Sequence, residues 1–164
     1  MDAKKREQIL KLLEADSRTT VKEIATMLDL SEEAVAKGIA AMEKEHVICG
    51  YHAFINWDKT EDDKISALIE LKVTLQHGEG FDRIAEKIYQ YPEVEALYLM
   101  SGGYDFTVML KKASMKQIAT FVSTKLAAID EVQSTTTHII LARYKDHGMP
   151  LVDLKKDMRQ AITL

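Results

Sequence analysis

The chain has 164 residues, 46% of them apolar, with two prolines, seven glycines and one cysteine. That is enough for one ordinary domain or two small ones with real cores, and it excludes a disordered or low-complexity chain. The formal net charge is −4, which excludes a strong overall basic field of the kind many nucleic-acid binders carry.

The charged start MDAKKREQ, with no apolar run behind it, is not expected to be a secretory signal, and no stretch approaches the length of a membrane span. A lone Cys49 forms no internal disulfide, so a reducing cytoplasm is expected. Residues 1–50 hold 8 Lys+Arg against 10 Asp+Glu, so any DNA binding must rest on the local placement of a few cations.

In chain order, Ile9, Leu12 and Leu13 give the stripe of a first helix over Lys4 to Ala15. Thr20-Val21-Lys22-Glu23 is a capping box, and Ile24, Met27 and Leu28 mark a short second helix. Asp29-Leu30 is a tight turn. Ser31 caps a third helix on which Val35, Ile39 and Met42 share one face, with Glu32 and Glu33 at the dipole's positive end. The last two helices make a helix-turn-helix. Val47-Ile48 and Tyr51 to Ile55 alternate loosely, as the strands of a wing would.

Residues 51–64, ending in the acidic run WDKTEDDK, read as a linker between a domain over 1–50 and another over 65–145. Ile65 to Leu75 alternates as a strand, and Gly78-Glu79-Gly80 is a loop. Phe81, Ile84, Ala85, Ile88 and Tyr91 form a helical stripe that stops before Pro92. Val94 to Ser101 and Tyr104 to Lys111 are strands around Gly102-Gly103. Met115 to Ile129 is a second amphipathic helix, and Val132 to Tyr144 a last strand. The order β-α-β-β-α-β is a ferredoxin-like α+β sandwich. Two helices cover one face of such a sheet. Leu68, Leu97, Leu99, Ile139 and Leu141 are read as apolar residues on the other face, which implies a dimer through it. The tail 146–164 has helical character from Leu151 to Ile162.

These elements, with the run ILKLLEADSRTTVKEIATMLDLS, the Val47-Ile48-x-Gly50-Tyr51 closure and Ser101-Gly102-Gly103-Tyr104-Asp105, resemble the Lrp/AsnC (feast/famine) regulators over residues 1 to about 145. The resemblance implies a transcription factor that binds double-stranded DNA. It also implies a homodimer, often extended to an octamer, that takes a small effector, usually an amino acid. In that scheme Ser31, Glu32, Glu33, Ala36 and Lys37 lie at the reading end of the third helix, and Arg18, Thr19, Thr20 and Lys22 approach the backbone. Gly38, Ala40 and Ala41 stand where the family usually has basic residues.

Gly102-Gly103 can present successive N–H groups to a carboxylate, and Asp105 can accept an α-amino group. Ser101, Tyr104, Thr136 and His138 complete that candidate effector site. Plain hairpin chemistry explains the same glycines and aspartate equally well. The five histidines show no metal-ligand spacing, and no cofactor or catalytic set is expected. Two other readings stay open. One is an assembly module whose helix-turn-helix no longer reads DNA, and the other is an enzyme on the two-domain plan of sirohaem decarboxylases.

Overall fold

The computed structural model describes residues 1–61, 63–75 and 80–151. The chain divides into two compact units, Met1–Ile55 and a second beginning at Asn56. No helix among the described residues is long and apolar enough to cross a membrane.

The first unit is three helices, α1 (Ala3–Ala15), α2 (Val21–Leu28) and α3 (Glu32–Lys44). Each begins on a side-chain cap. Asp2 accepts from the Lys5 N–H, Thr20 from Glu23 and Ser31 from Ala34, which satisfies amide groups the first turn leaves open. The Thr20 cap is reciprocal, because Glu23 accepts in turn from the Thr20 N–H at 2.7 Å. That bond, more than the Thr20 hydroxyl, holds the Glu23 carboxyl below its usual range. Asp29 ends α2 in the left-handed region, at φ 53°. Ile9, Ile24, Ala25, Val35 and Met42 are buried between the helices.

The wing expected after α3 does not form. Val47 and Ile48 both donate to the Met42 carbonyl, at 2.9 and 3.1 Å, so their amides close the helix end instead of a ladder. Ile48 packs on the helical core. Tyr51 to Ile55 forms no strand and pairs with none among the described residues, so no ladder holds a wing there.

The second unit is a four-stranded antiparallel sheet of β1 (Ile65–Val73), β2 (Val94–Leu99), β3 (Phe106–Ala113) and β4 (Val132–Ile139), in the order β2-β3-β1-β4. Helices α4 (Phe81–Tyr89) and α5 (Met115–Phe121), with a π-helical turn over Val122–Leu126, belong to the same core. The predicted β-α-β-β-α-β order is the observed one. The strands are shorter than expected. β1 stops at Val73 and β4 at Ile139, and the second helix is broken after Phe121. A two-residue hairpin that the sequence reading missed, β5 (Lys145–Asp146) with β6 (Met149–Pro150), turns on His147 and Gly148, both at positive φ. Most of the helical tail expected after Leu151, and most of the Gly78-Glu79-Gly80 loop, lie outside the described residues.

Alternation sends Ala67, Ile69, Leu71 and Val73 of β1 into the core and leaves Leu68, Glu70 and Lys72 on the other face. Leu97, Leu99 and Ile139, expected on that open face, lie on the helix side instead. They stand opposite Val108, Phe106 and Ala67. The cause is a pair of register shifts, at Val94/Ala96 in β2 and opposite Lys72/Val73 in β4. One extra residue reverses the phase of everything after it.

The Ile69 side chain is fully buried, so Ile69→Ala should cost about 2–5 kcal/mol, read from urea denaturation. Leu97→Ala should also destabilise the second unit, because Leu97 packs against the same core.

Candidate functional site: a DNA-reading helix and an effector turn

The solvent face of α3 follows from its buried one. With Val35 and Met42 buried, the exposed positions are Glu32, Glu33, Ala36, Lys37, Ala40, Glu43 and Lys44. Lys37 is tied to Glu33 at 2.7 Å, an i,i+4 pair with both side chains about three-quarters exposed, so it is held weakly. The face as a whole carries more acid than base. Ser31 stands at its start with its hydroxyl committed to the Ala34 N–H at 3.1 Å.

Gly38 and Ala41 are not on this face. Both are half-buried on the flank that meets the start of α1, lining a cavity with Met1, Asp2, Lys5 and Arg6. A Cβ at Gly38 would run into the methyl end of Met1. Of the three positions where basic residues were missed, only Ala40 points outward. The wheel set by Val35, Ile39 and Met42 already implies this, because Gly38 is three residues from Val35 and four from Met42.

The backbone-contact residues separate into committed and available groups. Thr19 donates to the Asp16 carbonyl at 2.8 Å, and Thr20 is the α2 cap. Arg18 is forked onto Asp16 at 3.1 and 3.2 Å, which pushes its guanidinium pKa up but leaves the side chain 89% exposed. Lys22 is exposed in the first turn of α2. Lys5 is engaged on the Leu28 carbonyl at 2.7 Å, and Arg6 on Glu45.

At the end of the sheet, the β2–β3 connection bends through Ser101, Gly102 and Gly103, all exposed. Gly102 has φ +138°, a conformation open to glycine, with nothing within 4 Å of an added Cβ. Tyr104 follows, half-buried. Asp105 anchors the turn. Its Oδ2 accepts from the Val73 N–H at 2.8 Å, its Oδ1 from Lys72 Nζ at 3.3 Å, and its own N–H donates to the Leu71 carbonyl at 2.8 Å. Asp105 is thus first a clasp between the turn and the end of β1.

Thr136 and His138 stand opposite Glu70 and Leu68, on the sheet face away from the helices. Asp105 alternates with the core residue Phe106 and shares that face. Thr136 is one step further from the turn than Ser134, which pairs with Lys72. His138 is a step further again, with Nε2 3.4 Å from Glu70 Oε1. The register therefore brings Lys72 and Ser134, which sequence reasoning missed, nearer to the turn than Thr136 and His138. Alternation along β1 is the signal that would have found Lys72.

Two family descriptions match the chain. An AsnC-type helix-turn-helix domain covers residues 5–43, and an Lrp/AsnC ligand binding domain covers residues 66–150. An HTH-type transcriptional regulator of Bacillus subtilis, YugG, is 45% identical over 145 residues, covering 88% of this chain and 87% of that protein. The crystal structure of the Mycobacterium tuberculosis leucine response regulatory protein is 25% identical, with a TM-score of 0.73 over 93% of this chain and 100% of that one. A Neisseria meningitidis transcriptional regulator solved as a complex with L-Met shares the fold, with a TM-score of 0.69, 20% identity, and coverage of 92% of this chain and 97% of that one.

Two stability outcomes follow from the geometry. Asp105→Ala removes the acceptor from the Val73 N–H and should cost about 1–3 kcal/mol. Gly38→Ala should raise stability by up to about 1 kcal/mol, since the flexible Met1 end can move and the helix loses an interior glycine. Thermal or urea unfolding measures both.

Proposed function

This chain belongs to the Lrp/AsnC family of transcriptional regulators, and on that premise we propose how its residues bind DNA, effector and a second copy. It is a helix-turn-helix DNA-binding regulator whose second unit is a ligand-binding domain. The observation that carries the DNA reading is the uninterrupted solvent face of α3, capped at Ser31 and presented next to the short α2–α3 turn. In a helix-turn-helix the second helix enters the major groove. Glu32, Glu33, Ala36 and Lys37 then meet base edges, while Arg18 and Lys22 approach phosphates. Lys37 and Arg18 must exchange their present acidic partners for DNA. With so few cations, affinity per head is modest and its salt dependence shallow.

The effector is an amino acid or a related metabolite, held at the Ser101–Asp105 turn. L-Met bound to the Neisseria protein supports an amino acid as the ligand class. The N–H groups of Gly102 and Gly103 and the Lys72 ammonium suit a carboxylate. Asp105 Oδ1, with only a long bond to Lys72, keeps capacity for an ammonium group. Thr136 and His138 extend the polar lining along the same face.

A second copy covers the open face of the sheet. The half-buried Leu68 and the exposed Tyr98 support this reading, because they lie on the sheet face that the two helices leave uncovered. A dimer carries two α3 helices, so simultaneous engagement of one duplex raises the overall affinity. Effector binding near the dimerising face can then shift the assembly and with it the DNA affinity.

Fluorescence anisotropy with the chain's own promoter DNA tests the reading. Binding should be salt-sensitive and should shift with at least one amino acid. Ala40→Arg should tighten it and steepen the slope of log K against log salt by about 1. The absence of salt-sensitive binding, or an Ala40→Arg curve identical to the parent's, would count against α3 as the reading helix.

A further inference from the structure

The second unit holds a cationic groove that neither the effector turn nor α3 uses. It runs beside the C-terminal end of β3 and α5, has a volume of about 600 Å³, and is lined by Lys64, Lys111, Lys112, Lys116 and Lys125. Five of the chain's 22 cations meet there, on a molecule of net charge −4. The lining includes one acid, Glu93. Lys111, Lys112 and Lys116 lie within one six-residue stretch, and folding brings Lys64 and Lys125 beside them.

Two of the lysines are part of the wall. Lys125 bonds Glu93 Oε1 at 2.6 Å and lies over the rings of Tyr91 and Phe121, at 5.1 and 5.6 Å from their centroids. Lys112 is 15% exposed at its side chain and reaches Asp58 at a long 3.6 Å. Lys111 and Lys116 are exposed and form no ion pair among the described residues. Lys125 first, with a smaller contribution from Lys111, holds the Glu93 carboxyl below its usual range. Beneath the lysines the floor is apolar, formed by Pro92, Leu110, Ile118 and Phe121.

Like charges gathered in one groove repel each other, and a multivalent anion reverses the sign of that energy. Ammonium groups are point donors well suited to phosphate oxygens. The groove's volume falls in the range of small-molecule sites, and an apolar floor under a polar rim is their usual composition. A duplex backbone would need only the exposed cations and would leave the floor unused.

We propose that this groove is a second ligand site, taking a small phosphorylated molecule of the nucleoside-diphosphate class. Lys111, Lys112 and Lys116 hold the phosphates, and the floor lies under the organic body. The site is independent of the effector turn, because none of its lining residues belongs to residues 101–105.

Isothermal titration of the full chain with ADP, pyrophosphate and sulfate at moderate salt tests it. ADP and pyrophosphate should saturate at one per chain and bind at least about tenfold tighter than sulfate. Lys111→Gln with Lys116→Gln should weaken both by about tenfold or more. Lys111→Arg with Lys116→Arg should retain binding, and the response to amino acids should stay the same in every variant. Three results would overturn the proposal: no saturation with ADP or pyrophosphate, sulfate binding as tightly as either, or unchanged ADP affinity in the folded double Gln variant. Loss of DNA affinity alone in that variant would mean that the lysines serve a duplex, and would overturn it equally.

Discussion

A four-stranded sheet with its helices on one side imposes a division on every residue it contains. In β1 the odd-numbered positions are committed to the core, so Leu68, Glu70 and Lys72 have no choice of face. The pairing register then extends that face across the sheet. Tyr98, Thr107, Glu70 and Thr136 form one continuous row from edge to edge. Asp105, Lys72 and Ser134 lie on the side of that row nearer the turn, and Met109, Leu68 and His138 on the far side. This face mixes polar and apolar groups, and it contains a buried hydroxyl without a partner. Its composition suits a self-complementary contact, in which each copy brings both the donors and the acceptors that the other needs.

The Asp105 clasp links that face to the turn. By taking the Val73 N–H and the Lys72 ammonium, the carboxylate holds the glycine turn at the end of the sheet, where the effector is proposed to bind. An effector that draws Lys72 toward itself must loosen the clasp, and Lys72 is on the face where the second copy is proposed to sit. Ligand and assembly thus share a residue, which is the minimal requirement for coupling them. Helix α3, proposed to read DNA, has the opposite character. Its caps and buried stripe are strongly specified, while its solvent face carries little charge and few large side chains.

Much of this was legible in the sequence. The caps at Thr20 and Ser31, the stripe Val35-Ile39-Met42 and the β-α-β-β-α-β order all rest on local patterns, and local patterns survive folding. What was missed depends on pairing. A one-residue bulge is invisible in a single strand, so Leu97, Leu99 and Ile139 were placed on the wrong face. A wing strand read from alternation at Tyr51 to Ile55 had no partner to pair with. Gly38 looked like a lost cation because the position was compared with a family habit and not with its own helix's buried stripe. The bond from the Val73 N–H to Asp105 was not legible, because the two residues are 32 positions apart. Ser134 became visible only when the register of β1 against β4 was known. The cationic groove is in part a product of tertiary placement, since Lys64 and Lys125 join the local run of Lys111, Lys112 and Lys116 only on folding.

The central claim is that the open sheet face is covered by a second copy of the chain, and sedimentation equilibrium tests it most directly. The wild-type protein should sediment as a dimer or larger at micromolar concentration, and Leu68→Glu, which adds a charge at a half-buried open-face position without touching the helix-side core, should sediment as a folded monomer. A wild-type protein that remains monomeric, or a Leu68→Glu protein that assembles as the wild type does, would contradict it.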